Sequence, residues 1–89
     1  MDDRELRAFT SIAEFGRMDL AAKELGYSQP ALSYQIRRLE SALGAALLTR
    51  GPTGVELTIA GQLILPTARA TLVLIEGMKQ TAGVADRRR

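Results

Sequence analysis

Polar side chains with useful hydrogen-bonding capacity recur at every fourth position between residues 29 and 37. Gln29, Ser33 and Arg37 lie at i, i+4 and i+8, which places them on one face of a helix. Glutamine can pair through two hydrogen bonds with adenine, arginine can do so with guanine, and serine tolerates several bases. The pattern therefore suits a surface that contacts base edges in the major groove of DNA.

Further candidates for DNA contact surround these three residues on the same helix. Pro30 and the edge of Tyr34 could touch thymine methyl groups, and Arg38 lies beside Arg37. Ser28 precedes the helix, where the positive end of the helix dipole can meet a phosphate. The two arginines could also form an ordinary solvated face, because exposed arginines are common.

Catalytic and metal-binding chemistry has little support in the composition. The 89 residues include no histidine and no cysteine. This removes the commonest general base, the Ser–His and Cys–His nucleophile pairs, thiolate metal sites and disulfides. The carboxylates are scattered over several predicted helix faces. We therefore expect no enzyme, no cofactor and no metal site.

The net charge of +2 depends on the last three residues. Lysine and arginine number 12 against 10 acidic residues, so that without Arg87, Arg88 and Arg89 the balance is 9 against 10. We interpret this basic run as the start of a linker, with a DNA-binding arm as the alternative. A nucleic-acid function must consequently rest on where the other arginines lie.

No targeting or membrane-spanning segment is predicted. The charged N-terminus, Met1-Asp2-Asp3-Arg4-Glu5, is not followed by an apolar stretch. The longest unbroken apolar run covers only residues 72–75, whereas a spanning helix needs about 20 such residues. We expect a cytoplasmic protein.

Three short helices are predicted in the first half of the chain. The first covers about residues 3–15, with Leu6, Phe9 and Ile12 inward and Glu5 on the polar face. Asp19 is the expected N-cap of the second helix, and Ser28 that of the third. The inward stripe of the third helix is Leu32, Ile36, Leu39 and Leu43, and the expected ends of the three helices are Gly16, Gly26 and Gly44.

A β-hairpin is predicted after the third helix. Residues 47–50 and 55–57 are short strand-like runs on either side of Gly51-Pro52-Thr53-Gly54, which is a typical turn composition. Two helices joined by a tight turn and followed by a hairpin indicate a winged helix-turn-helix. Arg50, at the base of this wing, could pair with a carboxylate such as Glu40 or reach a phosphate.

A long helix is predicted from about residue 58 to residue 82, with Thr58 as its N-cap and Pro66 as a kink or local break. Charge is sparse and the apolar residues lie all round it, so we expect it to be covered on more than one side. A second copy of the chain is the expected cover, although the helix could simply complete the core. The candidate dimer contacts are Leu65, Leu72, Ile75 and Met78. Residues from Gly83 onward are expected to fray.

Together these segments resemble the N-terminal domain of LysR-type transcriptional regulators. The resemblance covers most of the chain and is carried by Ala21-Ala22-Lys23-Glu24-Leu25, Ser28-Gln29-Pro30-Ala31-Leu32-Ser33, Gln35-Ile36-Arg37-Arg38-Leu39-Glu40, Leu43-Gly44, Leu47-Leu48-Thr49-Arg50 and Val55-Glu56-Leu57-Thr58-Ile59-Ala60-Gly61. It implies a mainly α fold: a winged helix-turn-helix over residues 1–57, a linker helix over 58–82 that pairs with that of a second subunit, and a flexible basic tail over 83–89.

The resemblance also implies the site and the partners. Gln29, Pro30, Ser33 and Tyr34 occupy positions where the family contacts bases, Ser28 and Arg37 lie near the DNA backbone, and Thr53 occupies the wing tip. The expected function is sequence-specific recognition of an inverted repeat by a homodimer, with a small-molecule effector bound only by a further, C-terminal domain. The alternative from the residues alone is a winged-helix module that serves protein interaction or dimerisation only.

Overall fold

Four helices and one hairpin make up the structure, a computed structural model that describes residues 1–52 and 54–87. The elements are α1 (Asp3–Phe15), α2 (Met18–Leu25), α3 (Gln29–Leu43), β1 (Leu48–Gly51), β2 (Gly54–Leu57) and α4 (Ile59–Arg87). The strands form a two-stranded antiparallel sheet. The mainly α winged helix-turn-helix with a long C-terminal helix, predicted from the sequence, is confirmed.

Helix α1 is the centre of the hydrophobic core, and α2, α3 and α4 all pack against it. Phe9 and Ile12 are fully buried, as the sequence predicted, and Tyr27 is half-buried against the core. Burying each such large side chain contributes roughly 1.5–3 kcal/mol. The buried apolar residues are Leu6, Ala8, Phe9, Ile12, Ala21, Ala22, Leu32, Ile36, Leu39, Leu47 and Ala68.

The three-residue turn between α2 and α3, residues 26–28, fixes the angle at which α3 leaves the core. Gly26 ends α2 with a φ of 72°, a left-handed conformation that glycine adopts at low cost. The backbone N–H of Tyr27 then donates to the carbonyl of Ala22 at 2.9 Å. Ser28 caps α3 as predicted, because its hydroxyl accepts a 3.2 Å hydrogen bond from the Ala31 N–H.

The predicted cap of α2 is wrong. The helix begins at Met18, its N-cap position is Arg17, and the Arg17 side chain makes no capping hydrogen bond. Asp19 lies inside the first turn, and both of its carboxylate oxygens accept hydrogen bonds from the Arg17 guanidinium, at 3.0 and 2.7 Å. In this arrangement the Asp19 carboxylate binds the Arg17 guanidinium through both oxygens instead of capping the backbone N–H groups of the first turn.

The hairpin is attached to the helical core by backbone contacts at its second strand. Leu48 pairs with Leu57 at the open end of the hairpin and Gly51 with Gly54 at the turn. The N–H of Val55 donates to the Gly16 carbonyl at 3.1 Å. A Cβ on Gly54 would lie only 2.7 Å from that carbonyl oxygen, and the φ of Gly54 is +140°, so this position requires glycine.

Helix α4 begins at the predicted cap but continues past its predicted end. The Thr58 hydroxyl accepts from the Gly61 N–H at 3.0 Å and donates to the Ala46 carbonyl at 2.7 Å. The helix contains Pro66 without interruption and runs to Arg87, so the expected frayed end at Gly83 is wrong. One exposed glycine costs a helix about 1 kcal/mol, and a basic residue in the last turn favours the negative end of the dipole. The described part of the predicted tail is thus helical.

The inner face of α4 packs on the domain and is tied to α1 by charged side chains. Gly61 and Ala68 are buried, and the Lys79 ammonium lies 3.0 Å from the Asp3 carboxylate. By length and composition alone, and against the expectation from unbroken apolar runs, α4 could cross a membrane, a property that it shares with the core helices of soluble proteins. The ion pair between Lys79 and Asp3 places the C-terminal part of α4 beside α1.

Candidate nucleic-acid interface

The outward face of α3 carries the polar residues that the sequence singled out. Leu32, Ile36 and Leu39 are buried, and this fixes the rotation of the helix about its axis. The opposite face is exposed except for the half-buried Ser33, and it presents Ser28, Gln29, Pro30, Ser33, Tyr34, Arg37 and Arg38. The prediction that Leu43 points inward is wrong, because this residue is exposed in the last turn, beyond the buried part of the stripe.

Arg38 is held by two partners within the protein. Its Nε donates to Oε2 of Glu5 at 3.2 Å and its Nη1 donates to the Tyr34 hydroxyl at 3.3 Å. The guanidinium carbon also lies 5.7 Å from the centre of the Tyr34 ring, within the range of a cation–π contact. The Tyr34 hydroxyl and the Glu5 carboxylate raise the pKa of Arg38 above its usual value.

Glu5 is a functional candidate that the sequence interpretation missed. It was expected on the polar face of α1, but its side chain is 1% exposed. The signal was present in the spacing, because Glu5, Phe9 and Ile12 lie at i, i+4 and i+7 and thus share the inward face. A carboxylate at such a position requires a compensating charge, and Arg38 supplies one.

Arg50 connects the hairpin to the polar face of α3. Its Nη2 donates to the Ser33 hydroxyl at 2.8 Å, so one lone pair of that hydroxyl is occupied. The alternative pairing of Arg50 with Glu40 is wrong, because Oε2 of Glu40 instead accepts a 2.7 Å hydrogen bond from the Leu47 N–H. Glu40 thus satisfies the backbone that leads into β1 and leaves Arg50 to reach α3.

A cleft of about 540 Å³ separates α3 from the hairpin. Arg37, Arg50 and Ser33 line it, and Glu40 contributes one carboxylate to the same lining. The two guanidinium groups outnumber this carboxylate, which suits a polyanionic ligand, and the polar side chains of α3 suit contact with base edges. The predicted wing-tip residue Thr53 lies outside the described residues.

The N-terminus of α2 adds an ion pair at the edge of this surface. Arg17, Asp19 and Gln29 line one shallow depression together with the hairpin turn. The hydrogen bonds from Arg17 lower the pKa of the Asp19 carboxyl below its ordinary value. Asp19 therefore stays ionised at neutral pH and forms an ion pair with the Arg17 guanidinium.

The outward face of α4 is apolar and largely uncharged. Of the predicted dimer contacts, Leu65, Leu72 and Ile75 are half-buried against the chain's own core, and only Met78 is exposed. The helix directs a different set of apolar side chains outward, namely Ile59, Leu63, Val73, Leu74, Met78 and Val84. Monomeric proteins rarely leave such a continuous apolar surface uncovered.

Comparison with known proteins identifies the family. Residues 4–62 match the bacterial regulatory helix-turn-helix proteins of the lysR family. The chain belongs to this family. Over 88 residues it is 43% identical to the small neutral protease regulatory protein of Streptomyces coelicolor, covering 94% of this chain and 28% of that protein. The predicted family and the DNA-binding regulator class are thereby confirmed.

Solved structures show the same fold. The LysR family transcriptional regulator CbnR matches with a TM-score of 0.90 and 41% identity, over 96% of this chain and 29% of that one. A complex of the CbnR DNA-binding domain with DNA matches with a TM-score of 0.88 and 41% identity, over 97% of this chain and 99% of that domain. The chain therefore spans less than a third of the length of the full-length proteins, and nearly all of the separate domain.

The side chains that could bind a metal ion are dispersed over residues 1–52 and 54–87. No group of three or more carboxylate, histidine or cysteine side chains there is placed to hold a metal ion. The relatives are transcriptional regulators, a class in which the work of the site is binding.

Proposed function

We propose that this domain binds double-stranded DNA site-specifically by inserting α3 into the major groove, as the DNA-binding part of a LysR-family regulator. The observation that carries the proposal is the exposed polar face of α3 opposite its buried leucine and isoleucine stripe. The DNA complex of the CbnR domain, which has the same fold, supports this use of the face. Such a regulator would act on chromosomal DNA in the cytoplasm.

Individual roles follow from exposure and bonding. Gln29, Pro30 and Ser33 are placed to contact base edges, together with Tyr34. Arg37 is exposed and has no described ion pair, so it is available to a phosphate. Ser28 contributes the N-terminal end of α3, and Arg50 orients the Ser33 hydroxyl. Because that hydroxyl accepts from Arg50, its own hydrogen is free to donate to a base acceptor.

The second partner in this proposal is another copy of the chain, bound through the outward face of α4. Leu63, Ala70, Gly77 and Val84 follow one another at intervals of seven residues, and Ile59, Pro66 and Val73 lie beside them at the same interval. A seven-residue repeat gives a continuous seam along a helix. A two-fold dimer would present two copies of α3 to successive major grooves, roughly 34 Å apart.

The remaining part of the regulator is also a proposal. The relatives extend well beyond the length that this chain covers. We infer that a small-molecule effector would bind a C-terminal domain of such a longer protein. The alternative of a module for protein interaction only is not favoured, because the matches include transcriptional regulators and a domain bound to DNA.

Two substitutions that each remove one positive charge, one on α3 and one on α4, test the placement of α3. The DNA sequence that binds best is first selected from a random pool, and its affinity is then measured by fluorescence anisotropy at several salt concentrations. Arg37→Gln should weaken binding and reduce the slope of log affinity against log salt by about 0.9 for each bound copy, or about 1.8 for the dimer on its two half-sites. Arg69→Gln removes the same charge from the exposed surface of α4 and is the matched control.

Ser33→Ala tests base contact separately from phosphate contact. We expect an altered base preference with a salt slope close to that of the original domain, because serine carries no charge. If Arg37→Gln, Ser33→Ala and Arg69→Gln all bind alike, α3 does not dock as proposed. Absence of DNA binding at every salt concentration, with dimerisation intact, would support the interaction-only alternative.

A further inference from the structure

A buried carboxylate on α1 contacts an arginine of α3. Glu5 is 1% exposed, and its Oε2 accepts a hydrogen bond from Nε of Arg38 at 3.2 Å. Within the described residues its other oxygen, Oε1, has no hydrogen-bond partner and lies 4.0 Å from the amino group of Met1. The neutralisation of this carboxylate within the domain therefore depends chiefly on Arg38.

Such an arrangement restrains the arginine more than a surface ion pair would. Removing the cationic partner from a buried carboxylate leaves an uncompensated charge, which is strongly unfavourable. Arg38 is 56% exposed at the side chain, so its outer part remains at the surface of α3. A phosphate that recruited this guanidinium would have to compete with Glu5 for it.

Arg38 also connects the buried carboxylate to an aromatic side chain on the DNA-facing surface. Its Nη1 donates to the Tyr34 hydroxyl, and its guanidinium carbon lies 5.7 Å from the centre of the ring. Glu5, Arg38 and Tyr34 thus form a continuous series of contacts from α1 to the outer face of α3. The neighbouring Arg37 has no partner of this kind among the described residues.

We propose that Glu5 is a positioning residue for DNA recognition, which retains Arg38 as a brace for Tyr34 and withholds it from the phosphates. The proposal rests on the proposed docking of α3 in the major groove. It changes the role expected for Arg38 from the sequence. Arg38 affects which base Tyr34 favours, whereas Arg37 supplies the phosphate contact.

Salt dependence distinguishes a brace from a phosphate contact. The assay uses the selected DNA sequence and compares Arg37→Gln, Arg38→Gln, Glu5→Gln and the double variant Glu5→Gln/Arg38→Gln. Arg37→Gln should reduce the slope by about 0.9 for each bound copy, or about 1.8 for the dimer, whereas Arg38→Gln should leave it unchanged. Glu5→Gln removes the charge that retains Arg38, so the slope should become steeper by up to about 0.9 for each bound copy. The double variant should return the slope to that of the original domain.

Base preference provides the second measurement. Selection from a random pool should give Arg38→Gln and Tyr34→Phe changes at the same base position, because both disturb the placement of the Tyr34 side chain. A purely structural role for Glu5 would alter thermal stability without steepening the salt slope. If Arg38→Gln does not fold, the double variant still tests the proposal, because it leaves no unpaired buried charge.

Three results would overturn the inference. The first is a slope that falls as much with Arg38→Gln as with Arg37→Gln, and the second is a double variant with a slope lower than the original by about 0.9 for each bound copy. The third is a Glu5→Gln domain with an unchanged slope and unchanged base preference. An unchanged slope in Arg37→Gln would instead contradict the docking of α3 itself, so the two failures are distinguishable.

Discussion

Gly61 lies where α4 crosses the chain that leads into the hairpin, and a methyl group there has no room. A Cβ at this position would overlap the carbonyl oxygen of Leu47 and approach its carbonyl carbon to 3.2 Å and its Cα to 3.4 Å. The same carbonyl accepts a 3.0 Å hydrogen bond from the Thr58 N–H, at the start of α4. Gly61→Ala should therefore push α4 away from the core and stretch this bond.

The expected loss of stability combines three effects. Inserting a methyl group into a packed contact costs about 1–3 kcal/mol, and weakening the hydrogen bond costs about 0.5–1.5 kcal/mol. Alanine favours the helix over glycine by about 0.5–1 kcal/mol, which offsets part of this cost. The net effect is a destabilisation of about 2 kcal/mol, or a Tm lower by about 8–16 °C for a domain of this size.

Urea unfolding followed by circular dichroism measures this effect, with all variants at one protein concentration because dimerisation contributes to apparent stability. Gly83→Ala is the matched control, since the same methyl group on the same helix meets nothing within 4 Å. It should leave stability unchanged or raise it by up to about 1 kcal/mol. Equal stability of the two alanine variants would refute the crossing contact as the reason for glycine at position 61.

Three further substitutions test other contacts. Val73→Glu places a charge on the outward face of α4 and should raise the dimer dissociation constant at least about 100-fold in sedimentation experiments, and an unchanged constant would exclude this face as the interface. Lys79→Gln should raise the pKa of Asp3, which the lysine's hydrogen bond lowers, in an NMR titration. Since stability conferred by a depressed carboxyl pKa is present above the unfolded pKa and lost as pH falls through the folded one, this variant should lose less stability on acidification. Asp19→Asn should free Arg17 and tighten DNA binding several-fold in anisotropy measurements, and weaker binding would contradict the screening role of Asp19.

Local signals in the sequence were sufficient to predict the three short helices. Gly16, Gly26 and Gly44 each end a helix with positive φ, and the capping hydroxyl of Ser28 fixes the start of α3. These features act within a few residues of the chain, so their effect can be derived without the fold. The outward direction of Gln29 and Arg37 followed from the buried stripe alone.

Predictions that required knowledge of a competing partner were less successful. Asp19 is a good cap by type, but the neighbouring Arg17 takes both of its oxygens. Glu5 was assigned to solvent because charged residues usually are, although its partner Arg38 lies 33 positions further along the chain. Arg50 likewise donates to Ser33 rather than to Glu40, and Oε2 of Glu40 accepts a hydrogen bond from the Leu47 N–H.

The inward face of α4 could not be chosen from composition, because apolar residues surround the helix. The small residues Gly61 and Ala68 mark that face, since they are the buried positions and lie seven residues apart. Leu65, Leu72 and Ile75 lie to either side of it, which explains why they pack on the domain. The need for glycine at position 61 depends on the fold, because it arises from the close approach of the Leu47 backbone to α4.

Selection of the domain against a random pool of double-stranded DNA tests the central claim most directly. At about 0.15 M salt, nonspecific phosphate binding is already weakened. The account predicts enrichment of a two-fold symmetric motif with half-sites about one helical turn apart. Retention of DNA without any enriched sequence, or retention of no DNA, would contradict site-specific recognition by paired copies of α3.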